Sequence, residues 1–160
     1  MSGSLEKCAA QQRATSAIIC RKMKSSDESS GDSSSSPRAI VAGHGGFPDG
    51  IVSAVDQISG RGDAFVPLSN QGLSGEDIES RLSRVSSESG VKVFFTDLPG
   101  GSATLAVRRL MRSNPDLVLV TGANLATLLE FVFQSEADPV TAAKNAAEKG
   151  RAALGAFGGK

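Results

Sequence analysis

The chain contains one histidine, His44, and it lies in the glycine-rich segment Gly43-His44-Gly45-Gly46. Glycine neighbours leave an imidazole uncrowded, and a neutral imidazole is a competent nucleophile near neutral pH. Its two nitrogens can divide the work, one attacking an electrophile and the other donating a hydrogen bond to a carboxylate. A second polar segment, Asp97-Leu98-Pro99-Gly100-Gly101-Ser102, supplies such a carboxylate in Asp97. Asp97 would fix the tautomer of the ring and balance the positive charge that develops when the ring takes a phosphoryl group. Gly100, Gly101 and Ser102 lead into a helix start, where free N–H groups, the positive end of the helix dipole and the Ser102 hydroxyl suit a phosphate. Phosphoryl transfer asks a protein for positioning and electrostatic support, and these residues can supply both. Each piece alone has a plainer reading: a surface histidine, an aspartate that closes a turn, a Gly-Gly-Ser tight turn.

The elements that must carry these segments are set by hydrophobic periodicity. Ala39-Ile40-Val41-Ala42 is a short apolar strand ending at Gly43-His44. Ile51, Ala54, Val55 and Ile58 keep helical spacing and stop at Gly60. Ala64-Phe65-Val66-Pro67-Leu68 is a second strand, and its proline places it at an edge or near its own end. Ser74 is a helix N-cap followed by Ile78, Leu82 and Val85 on one face, closed by Gly90. Val91–Thr96 is the third strand and ends at Asp97. Ser102 is expected to cap a helix running to Arg112, which Asn114-Pro115 breaks. Leu117–Thr121 is the fourth strand. Gly122 turns into a helix through Leu125, Leu128, Leu129 and Val132, and Asp138-Pro139 opens a last helix to Lys149-Gly150. Alternating apolar strands and helices predict an α/β fold, a doubly wound and mainly parallel sheet with helices on both faces. Ligands in such folds sit at the carboxyl ends of the strands, where both polar segments emerge.

Composition narrows the function classes. Lys plus Arg and Asp plus Glu each number 17, so the formal net charge is zero, and no electrostatic signal points to nucleic acid or an anionic membrane. No apolar run reaches the roughly 20 residues of a membrane-spanning helix. Direct membrane insertion is therefore not expected. With no Trp, no Tyr and seven Phe, the core is expected to be aliphatic. Cys8 and Cys20 both precede the strand–helix region, so neither a disulfide scaffold nor a zinc site is expected, and no metal or other cofactor. Residues 1–37 read as a Ser-rich disordered tail with too little apolar surface to offset ordering entropy, and 38–160 as one domain. The Ala17–Cys20 run is too short for a signal sequence and is followed by Arg21, Lys22 and Lys24, so a cytoplasmic location is expected.

A family resemblance adds to this reading. Ile40-Val41-Ala42-Gly43-His44-Gly45 resembles the phosphorylation-site strand of mannose-type IIA components of the bacterial sugar phosphotransferase system. Thr96–Ser102 resembles their Asp-x-x-Gly-Gly-Ser loop. Thr121-Gly122-Ala123-Asn124-Leu125, followed by Leu128-Leu129-Glu130, resembles their Gly-x-Asn-Leu-Pro-x-Leu-x-Glu helix start. The resemblance implies strand order 2-1-3-4 and a phosphotransferase acting through a phosphohistidine. His44 would accept phosphate from the histidine phosphocarrier protein and pass it to a IIB domain. Asp97 would bond the nitrogen that is not phosphorylated, and Ser102 would contact the phosphoryl group. It also implies a homodimer that exchanges a C-terminal strand, although Arg151–Gly159 is rich in Ala and Gly and poor in strand propensity. Ala103 and Ala126 stand where the family often has proline.

The same residues admit other readings. His44-Gly45-Gly46 resembles an esterase oxyanion loop, but no Gly-x-Ser-x-Gly elbow or second histidine completes a triad. Arg61-Gly62-Asp63 reads as turn chemistry. Arg108, Arg109 and Arg112 read as a solvated helix face. Two alternatives to sugar uptake stay open: a phosphorylation-dependent regulator that transports nothing, and the phosphocarrier subunit of dihydroxyacetone kinase. The sugar, if any, is not encoded in a domain that meets only phosphate and protein.

Overall fold

The computed structural model describes residues 36–159. The expected tail, residues 1–37, lies almost wholly outside the described residues, as do Cys8 and Cys20. The element order is β1 (Ala39–Gly43), α1 (Phe47–Ser59), a 3-10 turn (Gly62–Ala64), β2 (Phe65–Ser69), α2 (Gly75–Ser89), β3 (Val93–Thr96), α3 (Ser102–Ser113), β4 (Val118–Thr121), α4 (Leu125–Phe133) and α5 (Pro139–Ala152). The four strands form one sheet in the order β2-β1-β3-β4, and every pairing is parallel. Parallel strands need crossovers, and each crossover here is a helix. The expected doubly wound fold and its 2-1-3-4 order are what the chain adopts.

The strands are apolar on both sides because both sides are covered. Ala39 and Val41 of β1 join a cluster with Val55 of α1, Leu128, Phe131 and Val132 of α4, and Ala142, Ala143 and Ala146 of α5. Ile40 and Ala42 turn to the opposite face and meet Ile78, Leu82 and Val85 of α2 and Ala103, Ala106, Val107 and Leu110 of α3. The one-residue alternation of a strand thus assigns α1, α4 and α5 to one layer and α2 and α3 to the other. The core is not purely aliphatic, contrary to expectation. Phe65, Phe95 and Phe131 stack edge to face or tilted, with centroids 5.1–6.1 Å apart, and Phe94 is fully buried on the other face. The absence of Trp and Tyr does not constrain where seven Phe go, and four of them are drawn into the core.

Local signals set the helix ends. Ser74 and Asp77 form a capping box on α2, and Asn124 and Thr127 form one on α4. Asp138 accepts hydrogen bonds from the N–H groups of Val140 and Thr141 ahead of Pro139. Pro67 lies on the edge strand β2, as its missing N–H requires. Arg38 extends from the start of β1 to the far end of α4, donating to the carbonyls of Phe131, Gln134 and Ala137. Arg61 donates to Val132 O, which gives the Arg61-Gly62-Asp63 turn a structural use. Of the three helix-face arginines, Arg109 is tied across to α2 through Glu79 and Gly75 O. Among the described residues no helix is long and apolar enough to cross a membrane.

Candidate functional site

Register brings the two polar segments together. Ala42 of β1 pairs with Thr96 of β3, so Asp97 stands opposite Gly43 and one residue short of His44. The sheet order reverses direction at β1 and β3: the chain leaves β1 through α1 on one face and leaves β3 through α3 on the other. The crevice between those departing loops is the topological switch point of the fold, and it is where His44, Asp97, Gly100, Gly101 and Ser102 lie.

His44 Nδ1 is 2.7 Å from Asp97 Oδ2, and the His44 backbone N–H donates to the same oxygen at 2.8 Å. An ionised carboxylate only accepts hydrogen bonds, so Nδ1 carries a ring proton, and in the neutral ring this leaves the lone pair on Nε2. The His44 side chain is 54% exposed and that of Asp97 only 12%, so solvent reaches the ring from the side away from its carboxylate. Burial pushes the Asp97 carboxyl up. The His44 backbone and ring N–H groups, the electrostatic pull of the ring and a smaller contribution from the Leu98 N–H together outweigh it and hold the group below its ordinary 3.8. Asp97 Oδ1 is buried and makes no hydrogen bond among the described residues.

Two glycines are required by close approach. A Cβ on Gly43 would fall 2.7 Å from Asp97 Cγ, and one on Gly101 would fall 3.2 Å from His44 Cε1. Only bare backbone lets the carboxylate lie against β1, and at Gly101 a methyl group would press on the ring edge and shift it by a few tenths of an ångström. Gly101, not Ser102, is the N-cap of α3, which corrects the expected cap. Ser102 is the first helical residue, and its hydroxyl is engaged elsewhere, accepting from Asn70 Nδ2 at 2.7 Å. The first N–H groups of α3 have no acceptor within the helix and face the same crevice end of the sheet.

Residues outside the two expected segments also build the site. Thr104 Oγ1 donates to Leu98 O at 2.6 Å, so in its 2.6 Å contact with Thr96 Oγ1 the Thr96 hydroxyl is the donor. This buried relay clamps the backbone on both sides of Asp97. Ser69 Oγ donates to Gly45 O, and the Asn70 N–H donates to Gly43 O. The loop after β2 therefore holds the histidine segment from its other side. Polar residues at the end of an edge strand and just beyond it are the available sequence signal, and Ser69-Asn70 fits it. Nothing in the sequence signals the Thr96–Thr104 pair, which depends on how α3 docks. Among the described residues there is no group of three or more His, Cys, Asp or Glu able to hold a metal ion.

Comparison with known proteins identifies the fold and the family. The family model described as PTS system fructose IIA component matches residues 38–148. No curated protein matches by sequence. Among solved structures, the mannose/sorbose-specific IIA subunit of the phosphotransferase system from Enterococcus faecalis is similar with a TM-score of 0.66 and 22% identity, covering 79% of this chain and 98% of that one. A phosphotransferase system component EIIA from Streptococcus agalactiae gives a TM-score of 0.61 at 28% identity, covering 71% of this chain and 93% of its own. A IIA protein associated with the fucose utilization operon of Streptococcus pneumoniae gives 0.65 at 21% identity, covering 78% and 96%. With a match to the family model over most of its length, and with the family's sheet order, this chain belongs to the fructose/mannose family of IIA components of the sugar phosphotransferase system.

Proposed function

We propose that the protein is a phosphoryl carrier that accepts phosphate on His44 from the histidine phosphocarrier protein and hands it to a IIB domain. The observation that carries the reading is the His44 Nδ1 to Asp97 Oδ2 hydrogen bond at 2.7 Å, beside an exposed Nε2 edge and the start of α3. The Nε2 lone pair attacks the phosphorus of the donor's phosphohistidine. The donor's P–N bond breaks, and its electron pair returns to the donor ring. His44 then carries a P–Nε2 bond and retains the Nδ1 proton, so the ring becomes cationic. The Asp97 carboxylate balances that charge without taking the proton. Gly100 and Ser102 offer backbone amides at the start of α3, and Ser102 one hydroxyl, to the phosphoryl oxygens, whereas the Gly101 N–H, expected from the sequence to join them, already donates to Leu98 O and serves to shape the loop. Transfer to IIB is the same step with His44 as the donor. No metal or cofactor is needed for this balance. The setting of this chemistry is the cytoplasm, where phosphoenolpyruvate feeds the relay.

A homodimer is part of the same proposal. Among the described residues β4 pairs only with β3, so its outer edge is open, beside a cavity of about 640 Å³ lined in part by Leu119, Thr121, Lys144, Arg151 and Leu154. Leu154 and Phe157, beyond α5, are almost fully exposed. A second copy covering that edge would bury Leu154 and pair the free backbone groups.

Incubation with phosphoenolpyruvate, Enzyme I and the histidine phosphocarrier protein should add one acid-labile phosphoryl mass, mapped to His44. No mass gain, or gain at another residue, refutes the proposal. Light scattering of the same sample reads the oligomeric state.

A further inference from the structure

We propose that Asn70 is a positioning residue for phosphoryl transfer, setting the direction in which the Ser102 hydroxyl donates. The inference rests on the phosphocarrier reading of His44. Asn70 follows β2, whose last residue Ser69 pairs with Gly43, so Asn70 stands level with His44 across the sheet. It is 8% exposed, one of few buried polar residues among those described. Its backbone N–H donates to Gly43 O at 3.0 Å, and its side-chain amide sends Nδ2 to Ser102 Oγ at 2.7 Å. One residue thus spans from the end of β1 to the start of α3.

The chemistry of that contact is directional. A serine hydroxyl has one proton to give and two lone pairs to receive with. Asn70 occupies a lone pair, so the single proton of Ser102 is turned away from Asn70 and remains available. Gly101, the preceding residue, already lies against His44 Cε1. A phosphoryl group on Nε2 is the acceptor that this proton would meet. A freely rotating hydroxyl would spend part of its time donating to water or to backbone. Holding it in place lowers the reorganisation needed when charge arrives on the phosphoryl oxygens.

The test compares initial rates of His44 phosphorylation in wild type, Asn70→Ala, Asn70→Asp, Ser102→Ala and the Asn70→Ala/Ser102→Ala double variant, all well below their melting temperatures. Asn70→Ala should be about threefold to tenfold slower, the range of one neutral hydrogen bond. Asn70→Asp keeps the shape but accepts where the amide donated. It would draw the Ser102 proton to itself and set a negative charge near the phosphoryl group, so it should be slower than Asn70→Ala. The double variant should be no slower than Ser102→Ala, because Asn70 acts through that hydroxyl. A role confined to folding would move melting temperature and leave Asn70→Ala at the wild-type rate. Wild-type rates in Asn70→Ala, additive losses, or Asn70→Asp no slower than Asn70→Ala would each overturn the positioning role. Wild-type protein that accepts no phosphoryl group would instead refute the phosphocarrier reading itself.

Discussion

Asp97→Asn separates electrostatic support of the ring from closure of a turn. In the native protein one oxygen, Oδ2, accepts both the ring and the backbone N–H of His44. An asparagine with its oxygen in that place keeps two neutral hydrogen bonds and loses the charge. An asparagine turned the other way opposes two N–H donors with a third and favours the wrong ring tautomer. A charge-assisted hydrogen bond contributes about 1.5–3 kcal/mol, worth roughly tenfold to a hundredfold in rate if it strengthens in the transition state. His44 is 54% exposed, so water screens part of the interaction and the expected loss lies toward the tenfold end. The assay is the initial rate of phosphoryl transfer from labelled histidine phosphocarrier protein, with melting temperature as the control for folding. Asp138→Asn is the internal comparison, since Asp138 does cap a helix and Asn caps about as well as Asp. It should leave the transfer rate unchanged. Transfer at the wild-type rate in Asp97→Asn would refute the electrostatic role and leave Asp97 as a turn residue.

Four further outcomes are expected. His44→Ala should abolish phosphorylation yet melt near the wild-type temperature, because the exposed ring contributes little packing; residual transfer by mass spectrometry would contradict this. Gly43→Ala should destabilise the fold by about 1–3 kcal/mol in urea titrations and slow transfer, because its methyl group would displace the Asp97 carboxylate; a silent substitution would count against the close approach. Asp97, Asp77 and Asp138 all have carboxyl groups held below their ordinary 3.8, so they contribute stability above that pH and lose it as pH falls below it through their lower folded-state values. The urea midpoint should therefore drop as pH falls below the ordinary carboxylate value of 3.8, less steeply in Asp97→Asn. Removing residues 1–37 should barely change the melting temperature, on composition alone, provided that Arg38 and its three carbonyl contacts are kept; a large drop would show that the segment docks.

The fold is legible in the sequence where its signals are local. Continuous apolar strands such as Ala39–Ala42, capping residues such as Ser74 and Asp138, and Pro67 on an edge each report a neighbourhood of a few residues. His44 and Asp97 are legible as a pair because a parallel sheet with β1 beside β3 brings the residues after both strands to one crevice. The features that escape are relational. Asn70 and Thr104 have ordinary identities, and their roles arise only when α3 meets the β2 loop and the end of β3. Residue type makes Ser102 a natural cap, whereas the extended Gly101 takes that place and frees the serine side chain for Asn70. The aromatic cluster of Phe65, Phe95 and Phe131 has no local signature, because three distant residues converge through the sheet.

The shared oxygen of Asp97 has a consequence for how the site can be watched. The amide of His44 is bonded to a side chain instead of to a neighbouring strand, so its exchange with deuterated solvent depends on that carboxylate staying in place. Swinging the aspartate away would release the ring and unprotect the amide in one event. Deuterium uptake at this single peptide bond thus reports whether the Asp97 carboxylate is in place to orient the imidazole, without phosphate or partner. Departure of the carboxylate cannot pass unseen at the backbone, because one atom accepts from both the amide and the ring.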